Sequence, residues 1–168
     1  MANLLILGAG QFGLMVKEIA ESTREYKKID FLDDSNSIAI GKLEEYHRFS
    51  SEYEYAVVAI GNSLIRKQYI EKLKEKYKIA TVISPLACVF KSSMIGEGTI
   101  VEPMATVQTG AIVGKGCIIS SGTVIRHNSN VEDYCHLDCN SVVVSNVKVP
   151  AYTKVEIGSC FKNTETFK

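Results

Sequence analysis

Residues 95–125 read IGEGTIVEPMATVQTGAIVGKGCIISSGTVI, and the spacing of their branched side chains decides the fold. Ile95, Val101, Val107, Val113, Ile119 and Ile125 stand six apart. The same register extends back to Val89 and on through Val131, Leu137, Val143, Val149 and Val155 to Phe161. Two residues before each member stands a small one, from Ala87 and Ser93 through Cys117 and Cys135 to Ser159, with Val147 the exception. Three residues after, Gly or Asn recurs, at Gly98, Gly110, Gly116, Gly122, Asn128, Asn140, Asn146 and Gly158.

A period of six fits neither an α-helix nor a two-sided strand. It predicts a coil of three short faces, each turning one branched side chain inward. Gly and Asn suit the corners because they enter left-handed backbone cheaply. Stacked coils pair as parallel strands at ~4.8 Å spacing. The stretch from Ala87 to Phe161 therefore reads as a hexapeptide parallel β-helix. Its alternative, a β-sandwich with chance periodicity, does not explain three aligned columns of different chemistry.

The rest of the chain narrows the function classes. Lys plus Arg and Asp plus Glu number 19 each, which gives no electrostatic case for nucleic acid or an anionic membrane. The 5 cysteines form no CxxC pair and no secretory signal is visible, so reduced thiols and a cytoplasmic location are expected. No apolar run is long enough to span a bilayer.

Before the repeat, strand and helix alternate, implying a parallel sheet covered by helices. Strands are expected at Asn3–Leu7, Ile29–Leu32, Tyr55–Ile60 and Ile79–Ile83, with helices running from the glycine loop to about Ser22 and from Ser63, as cap, to about Tyr77. Ser84-Pro85 breaks the pattern, which places domains at 1–84 and 85–168. Gly8, Gly10 and Gly13, with Gln11 and Phe12 between them, form a loop whose N–H groups can approach a diphosphate at a helix N-terminus. Asp33 ends the second strand, where an acid can bind ribose hydroxyls. The alternative is a tight turn that binds nothing. One nucleotide-binding half fits in this length, which favours a mononucleotide or nucleotide sugar over NAD.

Three histidines remain. His47 lies in a polar loop. His127 follows inward-facing Ile125 by two residues, in a mostly polar outward column, and His136 precedes inward-facing Leu137. By pattern alone each is a surface residue, and no acidic or histidine cluster at ligand spacing supports a metal site.

The glycine loop at 8–13, Phe31-Leu32-Asp33-Asp34, Ala59-Ile60-Gly61-Asn62 followed by Ile65-Arg66-Lys67, and the spacing of His127 and His136 together resemble the NeuD/PglD-type bacterial sugar acetyltransferases. The resemblance implies a small Rossmann-like α/β domain followed by a left-handed β-helix, assembled as a homotrimer with active sites between subunits. It implies that the N-terminal domain holds a UDP-sugar through Gly8, Gly10, Gln11, Phe12, Gly13, Asp33, Asp34, Ile60, Gly61 and Asn62. Acetyl-CoA would be the co-substrate, with no bound cofactor and no metal. His127 looks like the general base, with Asn128 beside it, and the backbone N–H of Ser145 like the oxyanion donor. His136 and Ser120 look like residues near the acetyl donor. Phe12, Asn128, Ser120 and Ser145 depart from the family's usual His, acid, Asn and Gly, and roughly four coils are expected, a C-terminally shortened helix. Two readings follow: an acetyltransferase acting on a UDP-amino sugar or sialic-acid-like sugar, or a catalytically impaired nucleotide-sugar-binding trimer in glycan assembly. The spacing of the two histidines favours the first. Outward apolar residues Ile100, Ile112, Ile118 and Val142 call for cover by a neighbouring subunit.

Overall fold

The structure, a computed structural model, describes residues 1–162. Its N-terminal part is a four-stranded parallel sheet in the order β2-β1-β3-β4, formed by β1 (Ala2–Leu7), β2 (Tyr26–Leu32), β3 (Tyr55–Val58) and β4 (Lys78–Ile79). β1 is buried on both faces. Leu4 and Ile6 pack towards α1 (Gln11–Thr23), while Leu5 and Leu7 pack towards α2 (Ser63–Leu73). That is why the strand reads as a continuous apolar run rather than an alternating one. Between β2 and β3 runs a 3-10 helix, Leu43–Phe49, which carries the exposed His47.

Two local expectations change. The side chain of Asn62, not Ser63, caps α2, its Oδ1 accepting from the N–H groups of Leu64 and Ile65. The run expected as one strand over Ile79–Ile83 is divided. Lys78–Ile79 pairs with β3, whereas Val82–Ile83 pairs with Ile100–Val101 and forms the first rung of the β-helix, just before the boundary placed at 84/85. Ile83 packs with the interior of the coil and Val82 faces the N-terminal part, so the two residues already alternate as a β-helix rung does.

The repeat forms three parallel sheets stacked into a prism. The first face carries rungs at Val82–Ile83, Ile100–Val101, Ile118–Ile119, His136–Leu137 and Lys154–Val155. The second runs from Cys88–Val89 through Val124–Ile125 and Val142–Val143 to Cys160–Phe161. The third carries Met94–Ile95, Ile112–Val113, Asn130–Val131 and Lys148–Val149. Two sheets have five strands and one has four, so the helix makes between four and five coils. The branched column fills the interior, with Val101, Val107, Ile119, Ile125, Val131, Leu137, Val143 and Val149 at 0% exposure. The small column is buried beside it from Thr99 to Val147. Its hydroxyls find carbonyls, as in Thr99 Oγ1 to the Gly114 carbonyl at 2.8 Å and Thr123 Oγ1 to that of Asp138 at 3.0 Å.

Every corner residue of the Gly/Asn column from Gly98 to Gly158 has positive φ, including Met104, Tyr134 and Tyr152, which lack the usual freedom there. Tyr134 and Tyr152 stack with centroids 5.6 Å apart, offsetting part of that strain.

The N-terminal part packs on the first face. Ile100 lies in the same apolar cluster as α1 and β1, and Tyr134 in the cluster with Tyr69, Ile70 and Leu73. Two of the outward residues expected to need a neighbouring subunit are thus covered by the chain itself: Ile100 is 0% and Ile118 1% exposed. On the third face Ile112 remains 39% exposed.

Candidate functional site

The carboxyl ends of β1, β2 and β3 meet at one edge of the sheet. The Gly8 N–H donates to the Leu32 carbonyl at 2.8 Å, and the Ala59 N–H to that of Leu7 at 2.8 Å. Gly8, Asp33 and Ile60-Gly61, far apart in sequence, thereby become neighbours at the strand-order reversal, where open α/β sheets bind ligands.

The glycines do separate jobs. Gly8 has φ of 105°, and a Cβ there would lie 2.7 Å from the Ala59 carbonyl oxygen. A Cβ on Gly13 would lie 2.0 Å from the Gly8 carbonyl oxygen, so the loop closes only around a bare Cα. Gly10 is different: nothing lies within 4 Å of a Cβ placed there, and it starts α1 without a side-chain cap. The space beside Gly10 at the N-terminus of α1 is thus open, as an anion site there requires. Gln11 is exposed beside them, whereas Phe12 packs against the apolar cluster under α1.

Asp33 braces this loop. Its Oδ2 accepts the Ala9 N–H at 2.8 Å and its Oδ1 accepts those of Ser35 and Asn36 at 2.9 Å. The Ala9 and Ser35 bonds lead the effects that hold its carboxyl below the usual range. Asn36, missed by sequence reasoning, completes the brace by donating Nδ2 to the Ala9 carbonyl at 2.6 Å. Asp34 turns away and accepts the Leu43 N–H at 3.1 Å.

His127 stands exposed at the corner between the second and third faces. Its Nε2 lies 2.9 Å from the Ser145 Oγ on the next coil, and its N–H donates to Gln108 Oε1 at 3.2 Å on the preceding one. Sequence reasoning gave the Ser145 hydroxyl no role; stacking at an eighteen-residue interval puts it on the imidazole. The Ser145 N–H has no hydrogen-bond partner among the described residues and is free to meet an oxygen. Asn128, at φ 57°, occupies the corner itself and makes no side-chain bond to His127. Beside them lies a groove of about 410 Å³ lined by Asn128, Asn130, Asn146, Val147 and Lys148.

His136 lies on the first face, across the prism from the corner that bears His127. Its Nε2 is 3.4 Å from the Oγ of buried Ser120. Burial pushes its pKa below the ordinary value, against the pull of Asp138 and Glu156 and alongside the charges of Arg66 and Lys154. It lines a cavity of about 260 Å³ with Gly61, Asn62, Ser63, Leu64, Tyr134, Tyr152 and Lys154. The structure therefore joins His136 to Ser120 and to Gly61, Asn62 and the start of α2, and joins His127 to Ser145, but it does not bring the two histidines together within one chain. Among the described residues, no group of three His, Cys, Asp or Glu side chains is placed to hold a metal ion, and no helix is long and apolar enough to cross a membrane.

Residues 3–73 match the PglD N-terminal domain, and residues 92–127 match the bacterial transferase hexapeptide, a run of six repeats. The acetyltransferase domain of PglB from Neisseria gonorrhoeae FA1090 superposes with a TM-score of 0.91 at 27% identity, over 95% of this chain and 82% of that one. Among the relatives, UDP-N-acetylbacillosamine N-acetyltransferase of Bacillus subtilis (strain 168) is 32% identical over 110 residues, 59% of this chain and 50% of that protein. The match thus spans about half the length of that curated relative. The PglB domain has also been solved in complex with acetyl coenzyme A, with a TM-score of 0.91 and 28% identity over 95% of this chain and 81% of that one. Perosamine N-acetyltransferase from Caulobacter crescentus, at 21% identity and a TM-score of 0.81 over 95% of this chain and 82% of that one, shares the fold.

Proposed function

We propose that this protein transfers an acetyl group from acetyl-CoA to the amine of a UDP-linked amino sugar. The observation that carries this is the cavity of about 260 Å³ shared by Gly61, Asn62, the start of α2 and His136. It joins the nucleotide end of the α/β sheet to the face of a β-helix, so a sugar held by its nucleotide is presented to the repeat. The names of two relatives support the chemistry: one is a UDP-sugar N-acetyltransferase, and the other is an acetyltransferase domain solved with acetyl-CoA.

In this reading His127 removes a proton from the sugar amine as the nitrogen attacks the thioester carbonyl. The free Ser145 N–H donates to the oxygen that becomes anionic, and the intermediate collapses with departure of the CoA thiolate. The Ser145 hydroxyl fixes the imidazole from the coil behind it.

Because His127 and His136 lie on opposite sides of one prism, a site containing both needs two copies of the chain. A homotrimer with sites between neighbouring subunits provides this, and it would also cover Ile112 on the third face. Five free cysteines fit a reducing cytoplasm.

One observation favours the second reading, a nucleotide-sugar-binding trimer without catalysis. Among the described residues no carboxylate hydrogen-bonds His127 to stabilise its protonated form. Incubating the protein with acetyl-CoA and a panel of UDP-amino sugars separates the two: thiol release that needs the sugar supports the enzyme, and binding of UDP-sugar without any acetyl transfer supports the binding module.

A further inference from the structure

Arg66 heads the large side chains that are fully buried in this protein, at 0% exposure. It lies in the first turn of α2, where the sequence reads as an ordinary charged helix residue. All its bonds go to backbone carbonyls. Nε donates to Gly116 at 2.6 Å, Nη1 to Ile60 and to Gly61 at 2.8 Å each, and Nη2 to Tyr134 at 3.1 Å and Cys135 at 3.4 Å. The five acceptors come from three segments: the loop after β3 and two successive coils of the β-helix. No carboxylate pairs with the guanidinium among the described residues, and burial presses its pKa down, yet arginine keeps its charge. A buried charge without a counter-ion is costly, and a purely apolar joint would hold two packed parts together. What the planar fork adds is orientation.

The peptide plane shows what is oriented. A trans peptide points its N–H opposite its carbonyl. Arg66 draws the carbonyls of Ile60 and Gly61 inward, so the next two N–H groups, of Gly61 and Asn62, point outward. Neither N–H has a partner among the described residues. Both residues line the cavity that also holds His136, the residue directly after Cys135, whose carbonyl Arg66 also holds.

We propose that Arg66 is a positioning residue that turns the Gly61 and Asn62 amides outward as a donor pair for an oxygen of the nucleotide sugar, and fixes that pair relative to His136. This rests on the proposed function for the identity of the ligand. Arg66 itself touches no substrate, because its donors are already taken.

The test compares wild type with Arg66→Lys, which keeps the charge but cannot span three segments, and Arg66→Met. Binding of a UDP-sugar is measured by calorimetry, thermal unfolding by scanning calorimetry, and the His136 ring and backbone amides by NMR. Loss of one or two amide bonds to a charged or polar oxygen should weaken UDP-sugar binding roughly tenfold to a hundredfold in Arg66→Lys and shift the His136 ring signals. A lower melting temperature with unchanged affinity and unchanged His136 signals overturns the proposal and leaves Arg66 a structural joint. Wild type gives the second measurement should the variants not fold. On adding UDP-sugar the Gly61 and Asn62 amide signals should move downfield. If the amides at Gln11–Gly13 move and these two do not, the donor pair is refuted while nucleotide-sugar binding stands. If nothing moves and no heat is released, both fail.

Discussion

Gly10 and Gly13 sit in the same loop, and the structure predicts opposite outcomes for the same added methyl group. A Cβ at Gly13 would lie 2.0 Å from the Gly8 carbonyl oxygen and 2.9 Å from its carbon. Those are backbone atoms that cannot rotate aside, so the start of α1 must shift. Overpacking of this kind costs about 1–3 kcal/mol, or roughly 2–12 °C in melting temperature for a chain of this size. Gly10 has φ of −72°, which alanine adopts freely, and no atom lies within 4 Å of its Cβ. Gly10→Ala should therefore leave stability within about 1 kcal/mol, roughly 4 °C, because the gain from a less disordered unfolded chain is offset by alanine's poorer fit at the helix N-cap. Its methyl would stand where a diphosphate meets the first N–H groups of α1. Displacing one charge-assisted bond there, worth about 1.5–3 kcal/mol, weakens UDP-sugar binding about tenfold to a hundredfold. The assay is calorimetric titration with a UDP-sugar beside thermal unfolding of both variants. A Gly10→Ala protein that binds like wild type would refute the phosphate role of the loop, and a Gly13→Ala protein with unchanged melting would refute the packing argument.

Other outcomes follow from burial and position. His127→Ala should lower turnover by roughly 10²–10⁴-fold while melting and UDP-sugar binding hold, since the side chain is exposed and its loss leaves no cavity; a fall of less than about threefold in initial-rate assays would remove it as the base. Leu137→Ala, in the interior column at 0% exposure, should cost about 2–5 kcal/mol by denaturant unfolding, and a cost near zero would mean the column does not carry the core. Burial holds the His136 pKa below that of an unfolded imidazole, about 6.5. The unfolded chain then binds the extra proton first, so this contribution to stability is full above that value and is lost as pH falls through the window down to the folded pKa. Melting temperature should fall more steeply between about pH 7.5 and 5 in wild type than in His136→Gln, and parallel curves would contradict the burial.

The β-helix was legible because its constraint is local and repeated. Each coil needs a branched residue inside, a small neighbour and a left-handed corner, so every six residues restate the fold. Even Met104, Tyr134 and Tyr152 keep the corner backbone, because the stacked rungs above and below fix it. What escaped depends on partners distant in sequence. Val82–Ile83 continues a strand by composition, yet its ladder partner is Ile100–Val101. Ile100 and Ile118 look like subunit contacts until the N-terminal part is folded onto them. The three backbone N–H groups that the Asp33 carboxylate accepts, of Ala9, Ser35 and Asn36, come from two loops that only the folded sheet brings together.

The candidate site divides in the same way. The glycine loop, Asp33 and Gly61-Asn62 could be singled out because strand–loop–helix alternation fixes where each strand ends. The Ser145 hydroxyl on His127 and the Ser120 hydroxyl near His136 follow from stacking at one full coil and at a near-coil offset, which a sequence column shows only once the corners are known. Arg66 stands in one of the motifs that carry the resemblance, but its burial was not legible, since a basic residue in a charged helix is ordinarily solvated and this one is buried by two coils closing over it.

Whether the nucleotide loop and the β-helix form one acetyl-transfer site is decided by mass spectrometry of the sugar product after incubating wild-type protein with isotope-labelled acetyl-CoA and UDP-amino sugars. One labelled acetyl group should appear on the sugar nitrogen with wild type and be reduced roughly 10²–10⁴-fold with His127→Ala. Wild-type protein that binds a UDP-amino sugar yet yields no labelled sugar, with acetyl-CoA left intact, would contradict such a site.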